Sequence, residues 1–153
     1  MAYRLVLLAA LLTGLLPGSV RAQGDESACR LRAALEYPLE GASINAGVPI
    51  GVEGWAVDEA APAGTGILGV QAALDVPREA GGTAYDAWHT EQRADVVAQL
   101  GDPQYLFSGY RVDLPTADLD EGPHTLYVAI LTRCGWHTES RQITVLPPGV
   151  TVA

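Results

Sequence analysis

The chain has 153 residues, with nine basic and eighteen acidic side chains and a formal charge of −9 at pH 7; every basic residue is an arginine. An acidic, lysine-free surface repels phosphate backbones and anionic lipid, so nucleic-acid binding and peripheral membrane attachment are not expected. The length suits one domain with a real hydrophobic core.

Residues 1–22 read as a cleavable signal peptide. Arg4 gives the first segment its positive charge, an apolar run rich in Leu and Ala follows from Leu5 to Leu16, and Pro17-Gly18 breaks it. Val20-Arg21-Ala22 then offers a peptidase site, and cleavage is expected after Ala22. The run is shorter than the ~20 apolar residues that span a bilayer, and the sequence offers no second segment long enough to do so. The expected location is therefore exported: extracellular, cell-surface or periplasmic, with no membrane insertion after cleavage. Loss of the leader leaves seven arginines against eighteen acids, a formal charge of −11.

A short N-terminal segment, residues 23–30, precedes the expected domain over residues 31–147, and residues 148–153 form a tail. Within the domain, alternating apolar and polar residues between turn residues predict short antiparallel strands. Leu31, Ala33, Leu35 and Tyr37 alternate up to Pro38, and a turn through Leu39-Glu40-Gly41 follows. Val48, Ile50 and Val52 open a second strand that runs into Trp55 and Val57. Leu68 to Asp75 makes a third, and Pro77 with Gly81-Gly82 marks the next turn. A fourth, Thr83 to His89, leads into a short helix that Asp95 is expected to cap and Gly101 to close. Tyr110, Val112 and Leu114 define a further strand, and Asp118-Leu119-Asp120-Glu121-Gly122 an acidic turn. His124 to Arg133 and His137 to Leu146 form a terminal hairpin around Cys134-Gly135-Trp136. About seven strands with one small helix predict an all-β, antiparallel two-layer sandwich, with an up-and-down barrel as the structural rival.

Five segments in order carry a family resemblance. They are Pro38…Glu40-Gly41-Ala42-Ser43-Ile44…Gly47, Val52-Glu53-Gly54-Trp55-Ala56-Val57-Asp58, Arg93-Ala94-Asp95-Val96, Ser108-Gly109-Tyr110 and Gly122-Pro123-His124-Thr125-Leu126-Tyr127-Val128. Together they make residues 35–146 resemble a bacterial immunoglobulin-like domain of the kind found in exported and cell-surface proteins. The resemblance implies a non-catalytic sandwich used for spacing, adhesion or ligand contact, and supplies no universal binding residues. The matching positions read as structural: Gly54 permits close backbone approach or a bulge. Strict alternation places Trp55 beside Glu53 on the outer face, and a bulge at Gly54 is expected to turn it inward.

No nucleophile elbow, phosphate-binding glycine loop or paired-histidine zinc motif is present in the sequence, so no enzymatic activity, cofactor or metal is expected. His89, His124 and His137 are scattered along the chain; His89 and His137 gather into a site only if folding brings them together near Asp58 and Glu59. Asp118, Asp120 and Glu121 have acidic side chains but not the twelve-residue calcium loop. The aromatics are the stronger candidates. Tyr85, Trp88 and Trp136, with His137, fall on strand ends and loops, where exposed rings stack on sugars; the alternative is that the rings plug the ends of the core. The expected function is an exported interaction module with a protein or polysaccharide partner, the alternative being a dedicated carbohydrate-binding sandwich. Cys29 and Cys134 fall at the same end of such a sandwich and are expected to form a disulfide in an oxidising compartment. The other possibility is a free, reactive Cys134 beside Trp136 and His137.

Overall fold

A computed structural model describes residues 28–148. The leader expected over residues 1–22, its cleavage after Ala22 and the end of the tail lie outside the described residues. Among these, nine strands run in the order β1 Leu31–Tyr37, β2 Ala42–Asn45, β3 Ile50–Asp58, β4 Gly69–Leu74, β5 Tyr85–Asp86, β6 Trp88–Glu91, β7 Gly109–Leu114, β8 Gly122–Thr132 and β9 Gly135–Leu146. One α-helix, α1 Ala94–Leu100, and two 3-10 segments, Arg78–Ala80 and Pro103–Phe107, complete the fold. The strands form a four-stranded sheet, β1-β3-β7-β6, and a five-stranded sheet, β2-β9-β8-β4-β5. The chain is thus an all-β sandwich of two sheets rather than one closed barrel.

Alternation explains the core between the sheets. Leu35, Ile50, Val52, Tyr110, Val112 and Leu114 come from one layer, and Ile44, Val70, Ala72, Leu126, Val128, Ile130 and Ile143 from the other. Each fully buried aliphatic or aromatic side chain here contributes roughly 1.5–3 kcal/mol relative to exposure. The long terminal hairpin pairs Gly122 with Val145 at one end and Thr132 with Gly135 at the other. Only Arg133 and Cys134 turn it.

The strand inventory differs from the expectation of about seven in two places. First, β2 falls between the expected turn at Leu39-Glu40-Gly41 and the strand expected from Val48, where its four residues carry a single buried side chain, Ile44. It lies parallel to β9, so the sandwich is not wholly antiparallel; the Gly41 amide donates to the Gln142 carbonyl at 2.8 Å as the chain enters the sheet. Second, the run Thr83 to His89 is split between the sheets. Its pivot is Ala87, which is buried in the core and whose amide reaches the Val70 carbonyl at 2.8 Å. β5 stays on the five-stranded sheet while β6 crosses to the other.

Trp55 corrects a third expectation. It is 6% exposed, yet no bulge at Gly54 turns it inward: β3 keeps unbroken register with β7 through Gly54 and Trp55. The irregularity lies on the partner strand, between Leu35 and Tyr37 of β1, and it leaves Tyr37 about half exposed instead of in the core. Trp55 remains on the outer face and is buried because the outer face is roofed. Trp55 and Val57 pack with Val96 of α1 and Tyr105 of the second 3-10 segment in a small second core, with Ala34 and Leu100 alongside. Gly54 serves close approach, since a Cβ there would stand 2.1 Å from the Ala34 carbonyl oxygen and 2.4 Å from the Tyr110 hydroxyl.

The helix roofing this second core starts two residues earlier than expected, at Ala94 rather than Val96. Arg93 occupies the N-cap without a side-chain cap bond, and Asp95 lies inside the first turn. The Asp95 carboxylate is not the N-cap and is turned back onto the Arg93 guanidinium, which also holds Glu36 of β1 through two 2.8 Å hydrogen bonds. Hydrogen bonding to Arg93 lowers the Asp95 pKa to about 2, and the hydrogen bonds to Asp95 and Glu36 raise that of Arg93. Gly101 closes the helix as expected, in the left-handed conformation and with its amide on the Val97 carbonyl. The second 3-10 segment has its own cap, Asp102, which accepts from the Gln104 amide.

Candidate functional site

The end of the sandwich that holds the N-terminal strand is fastened covalently. Cys29 and Cys134 form a disulfide across a sequence separation of 105 residues, with Cα atoms 6.1 Å apart. Cys134 is therefore not a free thiol. Beside the bridge, the fully buried Asp58 accepts from the Arg30 amide at 2.7 Å and the Ala60 amide at 3.0 Å. Its other oxygen faces the Arg133 guanidinium at 3.6 Å. Asp58 and Glu59, considered above as neighbours for the histidines, are thus committed to arginines, Glu59 pairing with Arg32 at 3.0 Å.

The histidines meet local partners. His89 Nδ1 is 3.3 Å from the carbonyl of Ala87, two residues before it, and His137 Nε2 is 3.4 Å from the Thr132 hydroxyl. Among the described residues, no three His, Cys, Asp or Glu side chains group as metal ligands do. His124 is set differently. Its two ring nitrogens lie 2.7 Å from the Asp75 carboxylate and 2.7 Å from the Asp120 carbonyl, so both nitrogens donate only in the imidazolium form. Burial pushes its pKa down, but the hydrogen bonds to Asp75 and Asp120 and their nearby charge outweigh it and raise the pKa overall.

The four aromatic-site candidates fall in two places. Trp136 and His137 belong to the start of β9, next to the disulfide hairpin. His137 is exposed, whereas the Trp136 ring is half-buried and covered by the Arg78 guanidinium, 3.9 Å from the ring centre. That cation–π contact occupies the face a sugar would stack on.

Tyr85 and Trp88 instead line an open groove of about 470 Å³, completed by Asp86, Glu91, Arg111, Val112 and Asp113. The volume lies within the range of small-molecule sites. Its position follows from the strand that changes sheets. Ala87 takes the core slot, so the next residue, Trp88, faces outward with 70% of its surface exposed. It pairs with Arg111 across the β6–β7 ladder. Tyr85, on the edge of the opposite sheet, packs partly against the core and closes the groove from the other layer.

The polar lining is mostly acceptors. Asp86 is held by the Gln71 side-chain amide at 2.8 Å. Arg111 is paired with Glu53 at 2.8 Å and faces Asp113 at 3.7 Å. Asp86, Glu91, Arg111 and Asp113 were not singled out in the sequence. Alternation with Tyr110 and Val112 marks Arg111 and Asp113 as outward-facing, but no local signal says that β6 will bring an indole alongside them. A second, smaller hollow of about 140 Å³ shares Tyr85 and is lined otherwise by Leu74, Thr83, Pro115, Asp118 and Leu119.

A scan against protein-family models and a search of curated proteins found no match. Among solved structures, the chain is similar to the endo-beta-1,4-mannanase from Thermotoga petrophila, with a TM-score of 0.52 and 11% identity over 77% of this chain and 20% of that one. A looser likeness, TM-score 0.43 and 9% identity, covers 76% of this chain and 19% of a modular endo-beta-1,4-mannanase from Cellulomonas fimi. Another, TM-score 0.42 and 14% identity, covers 82% of this chain and 100% of CopC from Methylosinus trichosporium OB3b. The chain thus spans about a fifth of the length of either mannanase. At 11% identity the T. petrophila likeness is one of backbone arrangement alone.

Proposed function

We propose that this chain is an exported, non-catalytic immunoglobulin-like interaction module that contacts carbohydrate through the Tyr85–Trp88 groove. The observation that carries the reading is Trp88. An indole left 70% exposed on a folded surface, beside a tyrosine and several polar side chains, offers an apolar face with hydrogen-bonding groups at its edge. A pyranose ring has the complementary pair of surfaces, C–H groups on its face and hydroxyls around its rim.

Export is supported by the Cys29–Cys134 disulfide, since such bonds persist in oxidising compartments, and by the leader-like residues 1–22. Binding without chemistry is supported by the setting of the groove. Two of its charged groups are already committed to partners, Asp86 to the Gln71 amide and Arg111 to Glu53. The immunoglobulin-like assignment rests on the five ordered segments and on the two-sheet sandwich.

The test is retention of the purified, disulfide-bonded protein on a panel of insoluble polysaccharides. Binding that Trp88→Ala abolishes and Trp136→Ala preserves is the expected outcome. Retention on none of the polysaccharides overturns the carbohydrate reading, and release of reducing ends during incubation overturns the non-catalytic one.

A further inference from the structure

We infer that the groove takes a linear chain of sugars without acidic groups, laid lengthwise across Tyr85; this inference rests on the carbohydrate reading and adds the length and charge of the ligand.

The length comes from the two hollows. They share a wall at Tyr85, which lines both. Along one wall, Arg111 and Asp113 of β7 are followed at the next alternate position by Pro115, one residue past the end of the strand. At ~3.3 Å per residue, the four steps from Arg111 to Pro115 extend roughly 13 Å, longer than a single pyranose ring. Trp88 stands over the larger hollow and Tyr85 over the junction, so two aromatic surfaces are available to consecutive parts of one chain. The smaller hollow, with Leu74, Pro115 and Leu119, adds apolar walls. A monosaccharide on Trp88 leaves that part unused.

The charge comes from the lining. Asp86, Glu91, Asp113 and Asp118 surround the trough, against one guanidinium, Arg111, that already faces Glu53 and Asp113. Carboxylates only accept hydrogen bonds, so this surface is matched to a ligand rich in hydroxyl donors. A uronic or sulfated chain brings more acceptors and like charge to the same place, and juxtaposed like charges are costly.

The experiment is a titration of the isotopically labelled, disulfide-bonded protein, followed by NMR and calorimetry. The probes are disaccharides and hexasaccharides of β-1,4-linked glucose, mannose and xylose, with hexamers of galacturonic and mannuronic acid as charged counterparts. At least one neutral hexasaccharide is expected to bind about tenfold or more tightly than its disaccharide. It is expected to shift the Trp88 indole signal together with the Thr83 and Leu119 amides. The disaccharide should move the Trp88 signal alone. Thr83→Arg, an exposed position on the smaller hollow, should remove the hexasaccharide advantage while leaving disaccharide affinity unchanged. Equal affinity for the two lengths overturns the lengthwise inference, and tighter binding of the uronic hexamers overturns the charge inference. Either result leaves the carbohydrate reading standing. No binding by any of these sugars defeats that reading itself, and the inference falls with it.

Discussion

Two tryptophans on the outer face of the same sheet have opposite fates. Trp55 on β3 is 6% exposed and Trp88 on β6 is 70% exposed, although each obeys the alternation of its own strand. The difference lies in what the chain lays over them. Past β6, the chain folds α1 and the 3-10 segment Pro103–Phe107 over Trp55 and Val57, turning half of an outward face into a second core. The other half, where Trp88 pairs with Arg111, receives no roof from the described residues. Residue type and strand parity therefore cannot tell a structural aromatic from a contact aromatic; the covering segment decides.

Removing each indole is the most direct way to break the contrast. Trp55→Ala should lower unfolding stability by about 3–5 kcal/mol, as expected when a large aromatic is cut from a packed site. Trp88→Ala should stay within about 0.5 kcal/mol of the parent, because most of its surface is already in solvent. Chemical denaturation curves of the two variants check both. Comparable losses would mean that the roof contributes little or that Trp88 is covered. Acrylamide quenching sharpens the same point: the quenchable fluorescence should fall in Trp88→Ala and persist in Trp55→Ala.

The disulfide gives the next largest effect and asks whether the two halves share one stability. Bridging residues 105 apart restricts the unfolded chain, and losing a native bridge of this kind costs about 2–5 kcal/mol. Reduction should therefore shift the denaturation midpoint markedly, with Trp55 burial and overall β-structure lost together in a single transition. An unchanged midpoint under reducing conditions overturns the staple role. Two separate transitions would show that the roofed half is an independent unit.

Much of this was legible in the sequence. The two layers, the terminal hairpin, the inward Tyr110, Val112 and Leu114, and the cysteine pairing all follow from alternation and topology. β2 was not legible because four residues with one buried side chain give no period to read, and its parallel partner is about a hundred residues away. The split at Ala87 was invisible because an alanine fits the alternation equally well in an unbroken strand. The groove was half legible. Tyr85 and Trp88 stood out as aromatics at strand ends, but so did Trp136, which the structure places under Arg78. Arg78 lies 58 residues before Trp136 in the chain, and no local pattern announces such a contact.

The last contrast is in how the borders of the two halves are clasped. The roof is held by Arg93, which bridges Asp95 and Glu36. These are partly exposed pairs, so Glu36→Gln should cost only about 0.5–1 kcal/mol. The open side is clasped by His124, which joins Asp75 at the end of β4 to the Asp120 carbonyl in the turn that carries Asp118 and Leu119. Arg93, its pKa raised further by its partners, keeps its charge at every working pH, whereas His124 does not. Its folded-state pKa is raised above the ordinary value of 6.5, so its contribution is fully present below pH 6.5 and is lost as the pH climbs through the folded-state value. Stability relative to His124→Gln should therefore decline from pH 6 to pH 8.5, by less than either preceding effect because burial of the imidazolium offsets part of the gain. A histidine ring titration by NMR with a midpoint above 6.5 supports the clasp. A midpoint at or below that value, or a stability difference that does not change with pH, overturns it. If the clasp holds, the Thr83 and Leu119 amides should shift with the same midpoint while the Trp55 indole signal stays fixed, because only the open side depends on a proton.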